Sequence, residues 1–384
     1  MERDNKMKKI LFVAHVQSHI VNFHLPFIKY FQDKGYEVYV ATKLDEEKYG
    51  YIKNEYPNIN WVNIDIPRSP LSLKVFSALK DLIKLMKQNK FKLVHVHTPV
   101  GGFLGRLAAR LTNTGPVLYT AHGFHFFKGA PKLYWMTYYL AEKIAARWTD
   151  GIITINEEDY EIAMRKFKSK ETQIFKVNGV GLDLNLYKTL SEEEKKEKRQ
   201  ELSISEEEFV IIMIAELNEN KNQIQLIKAI ELLKEECPNI KVMFVGEGDK
   251  LNELKEEAVL REISDKVLFL GFRTDINELI NISDIGVLLS YREGLPRNIM
   301  EIMATGKAVI CTDIRGNNDL IKDNVNGYLV DVNDIEGTYK KIVMAIENRE
   351  KLNEFGRKSR EIIEEYSIHK ILKDMAKIYE MYIK

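Results

Sequence analysis

The sequence predicts an α/β protein made of two successive doubly wound halves. Three observations carry that reading. Short apolar runs rich in β-branched residues recur along the chain, and a loop and a helix-periodic stretch follow each of them. This alternation describes βαβ units around parallel sheets buried on both faces. It stops once, across a run from 188 to 208 dense in Glu and Lys, and restarts at Phe209. The 384 residues suffice for two domains of ordinary size. The expected divisions are 1–187, 188–365 and a closing segment, 366–384.

In order, residues 9–14 are an apolar run behind charge and read as the first buried strand. A loop at 15–19 follows, then a helix over 22–34 closed by Gly35, and a second strand at 36–42. Further strands are expected at 61–66, 93–97, 116–120, 151–155 and 172–177. The helices between them are expected at 71–89, 101–111, 132–148 and 157–167. In the second half, strands at 209–214, 240–245, 266–270, 284–289, 308–312 and 327–330 alternate with helices at 223–236, 250–261, 276–281 and after Pro296. Helices at 334–348, 351–366 and 369–384 close the chain.

Composition narrows the function. Lys+Arg and Asp+Glu are both 57, and that balance argues against a dedicated nucleic-acid binder. Cys237 and Cys311 make neither a disulfide framework nor a metal spacing, so a reduced, cytoplasmic setting is expected. The apolar run at 10–14 is short for a signal peptide. No stretch reaches the roughly 18 apolar residues of a membrane span, so any membrane contact is expected to be peripheral. The helix at 133–148, with Tyr134, Trp135, Tyr138 and Tyr139 beside Lys143 and Arg147, reads either as an interfacial anchor or as a helix packed on its own sheet. The lysines over 71–92 invite the same two readings.

Ligands in doubly wound sheets bind beyond the carboxyl ends of the strands. That rule gathers the loops at 15–22, 97–102, 122–125, 216–221, 246–248, 271–275, 290–301 and 313–318, which would line one cleft if the sheets face each other. In SYREGLPRNIME, residues 290–301, seven residues separate Glu293 from Glu301. With Pro296 as first helical residue, Glu293 lies in the preceding loop and Glu301 roughly 7.5 Å along the helix axis. Two carboxylates flanking a helix N-terminus suit a ligand with hydroxyls at two places and an anion between, as in a nucleotide sugar.

Lys221, after the strand at 209–214, is a compact charge suited to a phosphate, or simply a surface lysine. Gly246-Glu247-Gly248 lacks a third glycine and reads as a tight turn. His122, beside Gly123 at a strand end, is the strongest candidate for proton transfer or for positioning a hydroxyl. His95 and His97 share a strand face. A metal site from His97, His122 and His125 lacks a nearby carboxylate, and no Asp-x-Asp occurs, so no metal site is assigned. The phosphate charge then falls to Lys221, arginines and helix N-termini. Neither a Gly-x-Ser-x-Gly elbow nor a phosphate-binding Gly-x4-Gly-Lys-Ser/Thr loop is present.

Taken together, Glu293 and Glu301, Lys221, Val245 to Gly248, Gly271 with Asp284, Gly316 with 326–330, His95-Val96-His97, Gly101-Gly102 and His122-Gly123 resemble a known family. It is that of the retaining glycosyltransferases of the two-Rossmann GT-B fold, in the large glycogen-synthase-like group (glycosyltransferase family 4). The resemblance covers essentially the whole chain. Residues 121–126 and 155–159 resemble more narrowly the enzymes that build bacterial surface polysaccharides on a lipid carrier.

The resemblance implies that Glu293 contacts the donor sugar, Glu301 the ribose and Lys221 the diphosphate, with His122 at the reaction centre. Gly246, Gly271, Arg273, Gly294 and Leu295 would complete the donor site. His15, His19, His97, Gly101 and His125 would lie on the acceptor side. The same resemblance implies retention of configuration, no metal, no cofactor beyond a UDP-sugar as substrate, and a last helix crossing back to the first domain. A lipid-linked or saccharide acceptor and a place at the inner membrane face go with it. Ala215-Glu216 stands where the family has Gly-Arg, and Arg297 is the expected substitute cation. The alternatives are a sugar-nucleotide epimerase of the same fold or an inactive polysaccharide-assembly subunit.

Overall fold

A computed structural model describes residues 8–383. The chain divides into two compact units, one of residues 1–181 with 368–384 and the other of 182–367. The division lies six residues before the expected 187/188. Leu182 already belongs with the second unit, where its N–H donates to the carbonyl of Tyr366 at 2.9 Å.

The first unit opens with β1 (Lys9–Val16), α1 (Gln17–Phe23), α2 (Leu25–Asp33), β2 (Glu37–Lys43), α3 (Glu46–Tyr49), α4 (Ile52–Glu55) and β3 (Ile59–Asn63). It continues with α5 (Lys74–Gln88), β4 (Phe91–His97), α6 (Pro99–Thr112), β5 (Val117–Ala121), α7 (Lys132–Ala146), β6 (Gly151–Thr154), α8 (Glu157–Lys166) and β7 (Gln173–Lys176). Its seven strands are parallel, in the order β3-β2-β1-β4-β5-β6-β7. The direction of winding reverses between β1 and β4. The register Phe12↔His95 and His97↔Thr120 brings the polar ends of β1, β4 and β5 level. Leu11, Val13, Val94, Val96 and Tyr119 fill the core, as strands covered on both faces require.

Two expectations shift here. Strand β1 runs to Val16, so His15 lies on its end, not in a loop. The helix expected over 22–34 is two helices broken at His24. Pro26, at the second position of α2, fits a helix start but lacks the N–H that a continuous helix would use there.

In the second unit the polar run folds as α9 (Glu192–Glu201), started by a Ser191/Glu194 capping box. There follow β8 (Phe209–Ile214), α10 (Gln223–Leu233), β9 (Ile240–Val245), α11 (Leu251–Leu260), β10 (Val267–Phe269), α12 (Ile276–Ile282), β11 (Ile285–Leu288), α13 (Arg297–Ala304) and β12 (Ala308–Thr312). Then come α14 (Asn317–Leu320), β13 (Gly327–Val330), α15 (Ile335–Glu347) and α16 (Arg349–Ile363). The six strands are parallel, in the order β10-β9-β8-β11-β12-β13, with the reversal between β8 and β11.

The chain then returns to the first unit as α17 (Ile368–Tyr382). Tyr379 is buried with its hydroxyl 3.0 Å from His95 Nδ1, and the Tyr382 hydroxyl donates to the Asp150 carbonyl at 3.0 Å. Among the described residues no helix is long and apolar enough to cross a membrane.

Candidate functional site

The switch point of each sheet holds a cluster of polar side chains. In the second unit it is built on the loops after β8 and β11. Asn218 caps a 3-10 turn that ends at Lys221, and Asn222 takes a left-handed φ of 52° to start α10. Asn220 ties this loop to its neighbour. Its carbonyl accepts from Tyr291 N–H at 2.8 Å, and its side-chain amide donates to the Arg292 carbonyl at 3.0 Å. So anchored, Lys221 Nζ donates to Glu293 Oε1 at 2.5 Å, in an ion pair whose side chains are only 20% and 12% exposed.

Helix α13 begins at Arg297, with Pro296 as its N-cap rather than its first helical residue. Glu301 therefore lies about 6 Å along the axis instead of 7.5. One oxygen of its carboxylate accepts from two donors: the Tyr187 hydroxyl at 2.9 Å and Arg297 Nε at 3.0 Å. Burial beside that carboxylate pushes the Tyr187 hydroxyl above its ordinary range. Arg297, expected to meet a diphosphate in place of the missing arginine, is paired with Glu301. Glu216 is exposed. Arg315 is buried and its Nε donates to the Glu293 carbonyl at 3.1 Å.

The glycines of this region permit backbone approach. A Cβ on Gly246 would stand 2.1 Å from the Ala215 carbonyl oxygen, at a φ of +143°. Gly246 N–H donates to the Gly271 carbonyl at 2.8 Å, so these two expected site residues join the ends of β9 and β10. Gly294 follows Glu293 in the loop, and Leu295 packs partly buried on the core. Arg273 stands apart from the Lys221–Glu293 pair. It forks onto Asp275, in an ion-pair network with Glu201 and Lys198.

The first unit's cluster is made of imidazoles. His97 ends β4, His122 follows β5, His19 lies on α1 and His24 sits at the α1/α2 break. His24 stacks on His97 with centroids 3.7 Å apart, and His19 meets His122 edge-on at 4.4 Å. The Nε2 atoms of His19 and His24 are 3.2 Å apart, and His122 Nε2 is 3.5 Å from His97 Nδ1. Burial, reinforced by the neighbouring rings, holds His19, His24 and His97 well below the ordinary histidine range. Burial also brings His122 to about 3. These rings are neutral at neutral pH, each offering one donor and one acceptor.

His95 is a structural residue. Thr120 at 2.8 Å and Tyr379 at 3.0 Å satisfy both its nitrogens. His15 presents its N–H to Thr98 Oγ1 at 3.2 Å, and burial followed by the charge of Arg68 lowers its ring. Gly101 lets α6 start against β1, since a Cβ there would sit 3.1 Å from the His15 nitrogen. Thr98 holds a φ of 63°, a strained conformation for a β-branched residue at a strand end. His125 lies outside the imidazole cluster, stacked on Tyr138 at 4.6 Å.

Several residues of the two sites escaped the sequence reading. His24 gave one signal, its place two residues before Pro26. Tyr187 lies in the link between β7 and α9, 114 residues from the Glu301 it contacts, and gave none. Asp159, seen only as part of a motif, turns out to fix the His122 loop. Its carboxylate accepts from Phe124 N–H at 3.0 Å and from the Asn156 amide at 2.9 Å.

Residues 194–362 match the family described as Glycosyl transferases group 1, and residues 9–156 match the Glycosyl transferase 4-like family. The chain is 38% identical over 378 residues to EpsD of Bacillus subtilis (strain 168), which carries a glycosyltransferase name. The match covers 98% of this chain and 97% of that one. It is 32% identical over 316 residues to an Escherichia coli protein named UDP-Gal:alpha-D-GlcNAc-diphosphoundecaprenol alpha-1,3-galactosyltransferase, covering 81% and 80%. HepE of Anabaena, solved in complex with UDP and glucose, superposes with a TM-score of 0.81 at 21% identity over 97% of this chain and 100% of that one. At that identity the likeness speaks for the fold.

Proposed function

Because this chain belongs to the group 1 glycosyl transferases, on the two-Rossmann GT-B fold, we propose that it moves a sugar from a UDP-sugar to a diphosphate-lipid-linked saccharide, with retention and without a metal. The observation that carries the donor half is the Lys221–Glu293 ion pair at the switch point of the second sheet, with Glu301 on the helix that follows the Glu293 loop. A diphosphate brings more negative charge than one carboxylate. It would draw the Lys221 ammonium from Glu293 and leave that carboxylate to accept from sugar hydroxyls. Glu301, already oriented by Tyr187 and Arg297, keeps lone pairs for the ribose hydroxyls. Leu295 and the backbone of Gly294 would line the same site. UDP and glucose in HepE, and the UDP-Gal in the name of the Escherichia coli relative, support the choice of donor. The lipid diphosphate in the latter name supports the choice of acceptor.

In this reading the bond from the anomeric carbon to the β-phosphate oxygen breaks. The acceptor oxygen bonds to that carbon on the same face, and its proton passes to the departing phosphate. UDP leaves. His122 is assigned to the transferred sugar, and His15, His19, His97, Gly101 and His125 to the acceptor side. His122 is neutral, so it offers an uncharged hydrogen bond rather than a cation.

The reading includes peripheral attachment to the inner membrane face from the cytoplasm. Of the two readings of α7, its aromatic residues take the packed one: Trp135, Tyr138 and Tyr139 lie against the core. Its exposed stripe is Leu133, Met136, Leu140 and Ile144, beside Lys132, Lys143 and Arg147. Leu71 and Leu73, ahead of α5, are 91% and 83% exposed. Aliphatic side chains rimmed by cations suit a bilayer surface.

The test is a panel of UDP-sugars with a diphosphate-lipid-linked monosaccharide acceptor. Transfer is read as UDP release and lipid-linked product, and the anomeric configuration by NMR. Product of retained configuration that forms no more slowly in excess chelator is expected. Inverted product, or a rate that chelator lowers, would overturn the mechanism. Epimerised free sugar without product would favour the epimerase.

A further inference from the structure

We propose that His19, His24, His97 and His122 form a binding site for one late first-row divalent cation, of the Zn2+, Co2+ or Cu2+ kind. The first support is spacing. With Zn–N bonds of about 2.0–2.1 Å, a tetrahedral site separates its nitrogens by roughly 3.4 Å. The two close nitrogen pairs of the cluster stand at 3.2 and 3.5 Å, one pair at each of two edges. One ligand atom from each of the four rings lies within 4.8 Å of all the others. Closing the widest separation to a tetrahedral edge asks about 0.7 Å of each ring.

The second support is ligand type. Four imidazoles with no carboxylate among them suit late transition ions and not Mg2+ or Ca2+.

An ion here would staple α1, the α1/α2 break and the ends of β4 and β5 across the sheet's switch point. It would also take the lone pair of His122. If the transferase reading holds, the cation is an inhibitor rather than a cofactor. The binding claim itself does not depend on that reading.

The test uses the full chain, stripped with chelator and titrated with Zn2+ against a chromogenic competitor, and separately with Co2+ followed by visible absorption. The expected results are one ion per chain, intense tetrahedral Co2+ bands and a higher melting temperature with Zn2+. His24→Gln and His97→Gln should each weaken binding at least tenfold, while His369→Gln, exposed on α17, should leave it unchanged. Substoichiometric binding by the wild type, octahedral Co2+ bands, or equal affinity in the His24→Gln/His97→Gln double variant would overturn the proposal. These readouts need no transfer activity, so a failure of the transferase reading leaves them interpretable. Where transfer is measured, one equivalent of Zn2+ should abolish it and chelator should restore it.

Discussion

Glu301 shows what a single residue owes to distant parts of the chain. Its carboxylate takes one hydrogen bond from its own helix, through Arg297, and one from Tyr187, in the link between β7 and α9. A hydrogen bond to a charged acceptor contributes about 1.5–3 kcal/mol. Tyr187→Phe is therefore expected to raise KM for the UDP-sugar about tenfold and to leave kcat nearly unchanged, because the contact is made in ground and transition states alike. Steady-state kinetics decide it, and an unchanged KM would remove Tyr187 from the site. The pair Glu293/Glu301 and Lys221 were legible in the sequence because their strand and helix contexts are local. Tyr187 was not, because nothing in LNLYK distinguishes it from a packing tyrosine. Arg297 was legible as a cation, and its i,i+4 spacing to Glu301 lay open in the sequence, but which acceptor it takes was not.

At the level of elements, helices α6 and α7 are joined by a buried pair. Arg106, fully buried, reaches Glu142 at 2.8 Å, donates to the Gly102 carbonyl at 2.9 Å and lies 4.0 Å over the Tyr119 ring. Breaking such a pair leaves a buried charge uncompensated, at roughly 3–5 kcal/mol. Glu142→Gln should lower stability by that order in urea denaturation. Arg106→Met with Glu142→Leu should recover most of it, and an additive double variant would contradict the pairing. Because α6 starts at the strained Thr98 beside the histidines, loss of this clamp should also lower activity. The elements themselves were largely legible, since strands such as β1, β8 and β12 contain long apolar runs. The α1/α2 break was not, although Pro26 marked it, because the apolar period continues through it in Phe27, Ile28 and Phe31. The imidazole cluster escaped for a related reason: the break alone brings His24 onto His97.

Over the whole molecule, the two halves and their sheets followed from the alternation of runs. The return of α17 to the first unit followed only from the family resemblance, because its period shows an apolar face and not the unit that buries it. The outward stripe of α7 and the exposed Leu71 and Leu73 belong to this scale, since a bilayer meets a surface rather than a residue. Leu133→Ser with Met136→Ser and Leu140→Ser should cut sedimentation with anionic vesicles at least fivefold while leaving transfer to a water-soluble acceptor intact. Equal sedimentation would remove the stripe from the account. The donor assignment is tested most directly by UDP-sugar turnover with the lipid-linked acceptor, compared between the wild type and Glu293→Gln. Turnover by the wild type and a loss of roughly 100-fold or more in kcat for the variant, with its melting temperature within a few degrees, is the predicted result. Equal turnover by the two proteins would contradict it.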